Sequence, residues 1–295
     1  MTKAQTETRL LLELIQRHLP DFAFERAERL QAPGQFNIVL AVDAKWMFRF
    51  PKSPGAAADL ARELVILPRL QGRLPLPIPQ PCFQATEAES GDLLFMGYSR
   101  LPGEPLMRER FNRLKDDEAV VAGIAKDLAL FLCALHAIPP AEHGLTPSNE
   151  SALAEWTRIG EVFREKLFPL MRSDAREAVA RNFDLALNDA DIWRYDECLI
   201  HGDFGTGNFL FHKGRISGVI DFGFCGPGDP AQDLGALIAS YGEPFVERVF
   251  RHYPALRSGL RRARFYCRNY ALIQALYALR DDDEAEFEDG MRDYV

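Results

Sequence analysis

The run Leu199-Ile200-His201-Gly202-Asp203-Phe204-Gly205-Thr206-Gly207-Asn208-Phe209-Leu210 places a polar, glycine-rich loop between two apolar flanks. Gly218-Val219-Ile220-Asp221-Phe222-Gly223 follows closely, with a carboxylate at the end of a β-branched stretch. The flanks have the composition of short strands, and Gly202, Gly205 and Gly207 let the connecting backbone turn tightly and leave room for a ligand. Asp and Asn favour turns, so each of Asp203, Asn208 and Asp221 alone would be an ordinary loop former. Together, on loops between apolar strands, they form a preorganised polar site.

The chemistry such a site suits is phosphoryl transfer. Triphosphate oxygens and Mg²⁺ require hard oxygen ligands, which Asn208 and Asp221 can supply. An acceptor hydroxyl needs a carboxylate to orient it and take its proton, a role for Asp203. His201-Gly202-Asp203 with Asn208, then Asp221-Phe222-Gly223, resembles the protein-kinase catalytic set with Gly in place of the Arg of His-Arg-Asp. With Gly228-Asp229-Pro230-Ala231 and Asp233-Leu234 added, the pattern is similar to the aminoglycoside phosphotransferases and their kin, the homoserine, choline, fructosamine and macrolide kinases. Phe48-Arg49-Phe50-Pro51-Lys52 and the stretch from Gly97-Tyr98-Ser99 to Gly103-Glu104-Pro105-Leu106 resemble the 2″-aminoglycoside branch in particular.

The resemblance implies an α+β, bilobal protein-kinase-like fold: an N-lobe over residues 1–100 with a small antiparallel sheet, and a mainly helical C-lobe over 101–295. It implies Asp203 as catalytic base and Asn208 and Asp221 as Mg²⁺ ligands. Arg49 takes the place of the kinase strand lysine, with Glu63 as its helix partner and with Lys52 and then Lys45 as the alternatives; Arg offers a fork where Lys offers a point charge. The hinge falls at Ser99 to Leu101, with Tyr98 as gatekeeper just before it, and a bulky residue there goes with use of GTP beside ATP. Asp229 is expected to cap the next helix, Asp233 to tether the loop, and His201 to bond backbone near Asp221. Trp193, Asp196, Glu197, Tyr266 and Tyr270 are the candidates for an acceptor crevice, where carboxylates would pair with the ammonium groups of an aminoglycoside. A macrolide, amino alcohol or sugar acceptor is the alternative within the same chemistry, and a nucleotide-binding pseudokinase the alternative outside it. Two departures argue against a protein kinase. Pro33-Gly34-Gln35-Phe36-Asn37 holds one glycine where protein kinases have three, and no Ala-Pro-Glu follows Asp-Phe-Gly.

Working outward, residues 37–42 and 45–50 read as a hairpin about Asp43-Ala44, and 93–99 as a further strand. Residues 56–70, 119–138, 151–170, 174–187, 233–241 and 259–279 have helical periodicity, as does a first amphipathic helix ending at Pro20. The prolines of Leu74-Pro75-Leu76-Pro77-Ile78-Pro79 enforce an extended connector. The chain of 295 residues has ordinary globular composition, 47% hydrophobic and 26% charged. Its net charge of −8 shows no basic stripe for nucleic acid and favours a cationic partner. The cluster Arg257, Arg261, Arg262 and Arg264 reads as a solvated helix face. Five cysteines, an odd number without a Cys-x-x-Cys, read as buried thiols rather than a disulfide or zinc framework. With no apolar leader at the N-terminus and no evident membrane span, a cytoplasmic location is expected.

Overall fold

The computed structural model describes residues 3–30, 36–140 and 151–295. Pro33, Gly34 and Gln35 of the expected nucleotide loop lie outside these. Five antiparallel strands form the N-lobe sheet: β1 (Ala27–Arg29), β2 (Asn37–Val42), β3 (Trp46–Pro51), β4 (Pro81–Thr86) and β5 (Leu93–Ser99), in the order β1-β2-β3-β5-β4. The β2–β3 turn is the hairpin read at Asp43-Ala44. Both residues have positive φ, 51° and 52°, and Lys45 N closes the turn on the Val42 carbonyl at 3.0 Å; β3 begins at Trp46, so the connection is three residues where two were expected. The Asp43 carboxylate stabilises the turn by accepting from the amides of Glu25 and Arg26, at 3.0 and 2.8 Å. Helix α1 (Lys3–His18) lays Ile15 against Leu40, Val42, Phe48, Phe50 and Phe95, the small core of this lobe.

Helix α2 (Pro54–Leu70) begins with Ser53 accepting from the Ala56 amide and with Pro54 in its first turn, where no intrahelical N–H bond is lost. Beyond β5 the chain leaves the sheet. Strand β6 (Glu104–Pro105) pairs with β8 (Phe209–His212), and β8 with β9 (Arg215–Val219). A second small ladder joins β7 (Cys198–Ile200) to β10 (Gly226–Gly228). The proline-rich connector runs extended as expected, and its Pro77 carbonyl accepts from Val219 N at 3.0 Å.

The rest of the C-lobe is helical: α3 (Arg108–Leu114), α4 (Glu118–His136), α5 (Ala152–Val162), α6 (Ser173–Leu187), α7 (Pro230–Tyr241), α8 (Glu243–Val249), α9 (Leu260–Asp281) and α10 (Glu284–Met291). Helix α5 continues into a π-helical turn at Phe163–Leu167 and a 3₁₀ turn at Phe168–Leu170, which accounts for the single helical pattern of the sequence there. Helix α4 is long and apolar enough to match a membrane span in composition. Its Ile124, Leu128, Phe131, Leu132 and Leu135 are buried in the main core, which explains that composition.

Two expectations need correction. Arg262 is not on a solvated face: it is buried and ion-paired with Asp229 at 2.6 Å, while Arg257, Arg261 and Arg264 pair with carboxylates at the surface. Of the five cysteines, all free thiols, Cys225 is buried but Cys82 and Cys133 are exposed.

Candidate active site

Strand β7 delivers the chain to His201, whose ring is buried. Its Nδ1 lies 3.3 Å from the Asp203 amide and accepts from it, so Nε2 carries the proton and donates to the Ile220 carbonyl at 3.1 Å. One imidazole thereby ties the Asp203 loop to the strand end bearing Asp221, the structural role expected for it. Asp233, near the start of α7, accepts from the amides of His201 and Gly202, both at 2.9 Å. Gly202 has φ of +81°, and a Cβ there would sit 2.4 Å from the Phe224 carbonyl oxygen, so this turn admits glycine alone. Farther along, Thr206 N donates to Ser240 Oγ at 2.8 Å, so α7 grips the loop at both ends.

Held in this way, Asn208 Nδ2 donates to Asp203 Oδ2 at 2.8 Å and to the Asp203 carbonyl at 2.9 Å. The amide nitrogen is thus committed inward, and Asn208 Oδ1 is the atom left for a ligand. Asp203 lies in the cleft floor, open on one side to solvent. Its enclosure by protein, with the charge of Asp221 added, raises its carboxyl above the ordinary range. Asp221 adopts a left-handed backbone, φ 68°, a conformation uncommon for a side-chain-bearing residue and one that clusters at functional sites.

Arg49 on β3 joins the lobes. Its Nη1 donates to Glu63 Oε2 at 2.7 Å and its Nη2 to Asp221 Oδ1 at 2.8 Å. Burial opposes the charge on Arg49, but Asp221 and Glu63 outweigh it and hold the guanidinium more firmly protonated. Enclosure acts to raise Asp221, and Arg49 overcomes it, so that the Asp221 carboxyl titrates below its usual range. Glu63 is wholly buried. Burial pushes its carboxyl up to about 7, against the pull of Arg49. Its other oxygen accepts from Phe222 N at 3.3 Å, and Arg62 on the same helix donates to the Gly223 carbonyl at 2.7 Å.

These groups border a cleft of about 330 Å³ between the sheet and the β8–β9 ladder. Val39 and Met47 on one side and Leu210 and Ile220 on the other make an apolar slot, with Tyr98 and Leu101 in its wall. Arg49, Asp203, Asn208 and Asp221 make its polar end. Tyr98 is buried, and burial pushes its hydroxyl up to about 12. Ser99 is exposed on the last residue of β5 and does not line the slot. Asn208 Oδ1 and the Asp221 carboxylate, 41% exposed, are the hard oxygen donors this end offers to a divalent cation. Two donors suit Mg²⁺, which keeps waters and fills its octahedron from phosphates.

The acceptor candidates do not converge on this cleft. Trp193 donates to the Ala186 carbonyl at 2.9 Å and packs edge-on against Phe265 and Tyr266. Tyr266 is fully buried, its hydroxyl donating to Asp229 at 2.8 Å, and the Tyr270 hydroxyl donates to the Gln232 carbonyl at 2.7 Å. Tyr266 and Tyr270 are fixed by the packing of α9 beside α7, and Trp193 by its contacts with α6 and α9. Asp196 and Glu197 line a separate depression of about 580 Å³ that does not include Asp203. Sequence reasoning missed an aromatic row beside Gly202. Phe36 meets Phe224 edge-on, Phe224 stacks with Tyr277 of α9, and Arg280 lies over the Tyr277 ring. The available signal was Phe224 itself, the residue directly after Asp221-Phe222-Gly223.

Comparison with known proteins places this geometry. A family model described as "Phosphotransferase enzyme family" matches residues 33–266. Viomycin phosphotransferase of Streptomyces vinaceus is 33% identical over 267 residues, 88% of this chain and 90% of that protein. An aminoglycoside 3′-phosphotransferase of Escherichia coli is 26% identical over 230 residues, 72% of this chain and 75% of that one. Among solved structures, the GDP and kanamycin complex of APH(2″)-IIIa matches with a TM-score of 0.86 and 26% identity, over 96% of each chain. The chain belongs to the phosphotransferase enzyme family and is a phosphotransferase of bilobal, protein-kinase-like fold.

Proposed function

We propose that this enzyme transfers the γ-phosphoryl group of GTP or ATP to a hydroxyl of a cationic antibiotic, an aminoglycoside at its 2″-hydroxyl, with Mg²⁺. The observation that carries the reading is the single cleft in which Asp203 bonded to Asn208 faces Asp221 bonded to Arg49, which Glu63 holds in turn. The purine would enter the apolar slot, and the crowding of Tyr98 at its wall supports GTP as a donor. Mg²⁺, when bound, neutralises charge on the phosphates; Asn208 and Asp221 would hold it. Asn208 occupies Asp203 Oδ2, so Oδ1 is the atom that would orient the acceptor hydroxyl and take its proton. The raised Asp203 carboxyl makes it a stronger base than an ordinary aspartate. Arg49 fixes Asp221 from behind. Little covalent work is asked of the protein, because the transition state is loose and rewards positioning.

The acceptor has a second reading. Identity to the viomycin phosphotransferase, 33%, exceeds the 26% to the 2″ enzyme structure, and the expected carboxylate-bearing crevice is not formed by the residues assigned to it. Viomycin is therefore the rival acceptor. The test is phosphoryl transfer from GTP and from ATP to kanamycin, viomycin and a macrolide, read by mass gain of the acceptor. Transfer to viomycin alone rejects the aminoglycoside. Transfer to the macrolide alone rejects both cationic readings, and an Asp203→Asn enzyme with unchanged kcat rejects the base.

A further inference from the structure

Phe224 stands at the tip of a turn that the chain makes directly after Asp221. Cys225 N closes the turn on the Phe222 carbonyl at 3.0 Å, and Arg62 holds the Gly223 carbonyl at 2.7 Å. On this fixed turn Phe224 is nonetheless 36% exposed. Phe36 meets its ring edge-on at 5.9 Å between centres, and Tyr277 of α9 lies nearly parallel to it at 6.4 Å. Phe36 borders the nucleotide cleft, whereas Phe224 and Tyr277 do not line it. The row therefore leads out of the cleft, past Gly202, toward the end of α9. Its contact with the catalytic loop is direct: a Cβ on Gly202 would also meet the Phe224 Cβ, at 2.8 Å. Asp203 is the next residue. One cation already uses the row. Arg280 Cζ lies 5.0 Å from the centre of the Tyr277 ring, while its Nε and Nη2 donate to Asp281 at 2.8 and 2.9 Å. Enclosure raises the Tyr277 hydroxyl above its ordinary range, and the nearby carboxylates of Asp59 and Glu155 add to this against the pull of Arg280.

We propose that Phe224 and Tyr277 form an acceptor subsite beside Asp203, and that the acceptor presents to it a guanidinium or similar planar, delocalised cation rather than an ammonium. An acceptor whose hydroxyl meets Asp203 cannot share the slot with the purine, and the aromatic row is a surface that continues outward from that residue. Flat rings discriminate among cations. A guanidinium is planar and weakly hydrated, so it lies on a ring face with little desolvation, while an ammonium is a compact, strongly hydrated charge that favours oxygen partners. The carboxylates expected to receive ammonium groups, Asp196 and Glu197, line the separate depression instead. Asp59 and Glu155 give the surroundings of the row the sign a cation needs, and the rings give them the shape. Arg280 on Tyr277 shows the same stacking with a guanidinium of the chain itself.

This inference rests on the reading of Asp203 as the base for a cationic acceptor, and the experiment separates the two. Kanamycin and its fully guanidinylated form carry the same number of charges on one scaffold, so attraction to the acidic protein as a whole is matched between them. Titration calorimetry on the GDP-bound enzyme measures the affinity for each, in wild type and in Phe224→Leu, Phe224→Tyr and Tyr277→Leu. Transfer from GTP and ATP to each is followed in parallel by mass. Wild type is expected to bind the guanidinylated form roughly 3- to 30-fold more tightly, the span of a cation on one or two aromatic faces. Phe224→Leu and Tyr277→Leu should each erase most of that preference, and Phe224→Tyr, which keeps a ring, should retain it. Wild-type binding of kanamycin as tight or tighter, binding of neither compound, or a preference that survives the leucine substitutions overturns the proposal. So does a Phe224→Tyr enzyme that loses the preference as Phe224→Leu does. If one leucine variant does not fold, the other decides. If the preference follows the rings but neither compound gains phosphate, the reading of the acceptor as an aminoglycoside fails and the subsite stands.

Discussion

Replacing Arg49 with lysine keeps the charge and removes the fork. The guanidinium reaches Glu63 and Asp221 through separate terminal nitrogens, at 2.7 and 2.8 Å, from a position 6% exposed. A lysine ammonium is a single point on a shorter effective reach, so it can keep one carboxylate in full contact and not both. The loss is one charge-assisted hydrogen bond, about 1.5–3 kcal/mol. Asp221 is the partner that slips, because Glu63 is enclosed and additionally held by Phe222 N. If that energy is expressed in positioning Asp221 against the phosphates, kcat falls roughly 10- to 100-fold at about 1.4 kcal/mol per decade. The same loss lowers Tm by several degrees, at about 2–4 °C per kcal/mol for a chain of this class. Steady-state transfer at saturating nucleotide and a thermal melt measure both. An Arg49→Lys enzyme with kcat within threefold of wild type would refute the claim that the two-pronged contact positions Asp221.

Arg49→Met should be worse, by about 3–5 kcal/mol in urea unfolding, because a carboxylate is left buried without its partner. The deficit should shrink on going from pH 8 to pH 6. A carboxyl whose folded value is raised contributes stability at low pH that is lost as pH rises through that value, and Glu63, already near 7 with Arg49 present, moves higher without it. Tyr98→Ala opens the wall of the slot and should raise kcat/KM for ATP relative to GTP by about tenfold, the equivalent of about 1.4 kcal/mol; an unchanged ratio removes Tyr98 from donor selection. Gly202→Ala forces a Cβ to within 2.4 Å of the Phe224 carbonyl at φ +81° and should leave little folded, active enzyme, as read by circular dichroism and transfer. Arg262→Ala exposes the buried Asp229 charge, which also caps α7, and should cost about 3–5 kcal/mol in denaturant unfolding.

The candidate centre could be read from the sequence because its parts lie at short, fixed spacings. Asp203, Asn208 and Asp221 sit on one strand-loop-strand unit, and the structure brings Arg49 and Glu63 to them as expected. The hairpin at Asp43-Ala44 and strand 93–99 were equally legible, since alternation and turn residues are local. What was not legible depends on packing between distant elements. Trp193, Tyr266 and Tyr270 have the composition of a ligand-binding aromatic set, and only the docking of α9 against α7 and of the Trp193 turn against α6 and α9 turns them inward. Arg262 is indistinguishable in sequence from Arg261 and Arg264. Its burial is decided by Asp229, thirty-three positions earlier. Strand β4 was hidden because Pro81 opens it, and α8 and α10 because each is too short to display a periodicity.

Helix α2 has a consequence for control. In protein kinases, activity is switched by moving the equivalent helix so that its glutamate meets or leaves the strand cation. Here the helix is anchored along its length. Glu63 and Arg62 bond the backbone at Phe222 and Gly223, and Ile66, Leu67 and Leu70 belong to the same buried cluster as Leu128 and Phe222 of the C-lobe. Swinging it outward would withdraw three large aliphatic side chains from a packed core, each worth about 2–5 kcal/mol by truncation. No ordinary ligand or single modification supplies such a sum. The fold has kept the lever of a signalling switch and riveted it in the on position. The outward swing of this helix is therefore closed to the fold as a means of control.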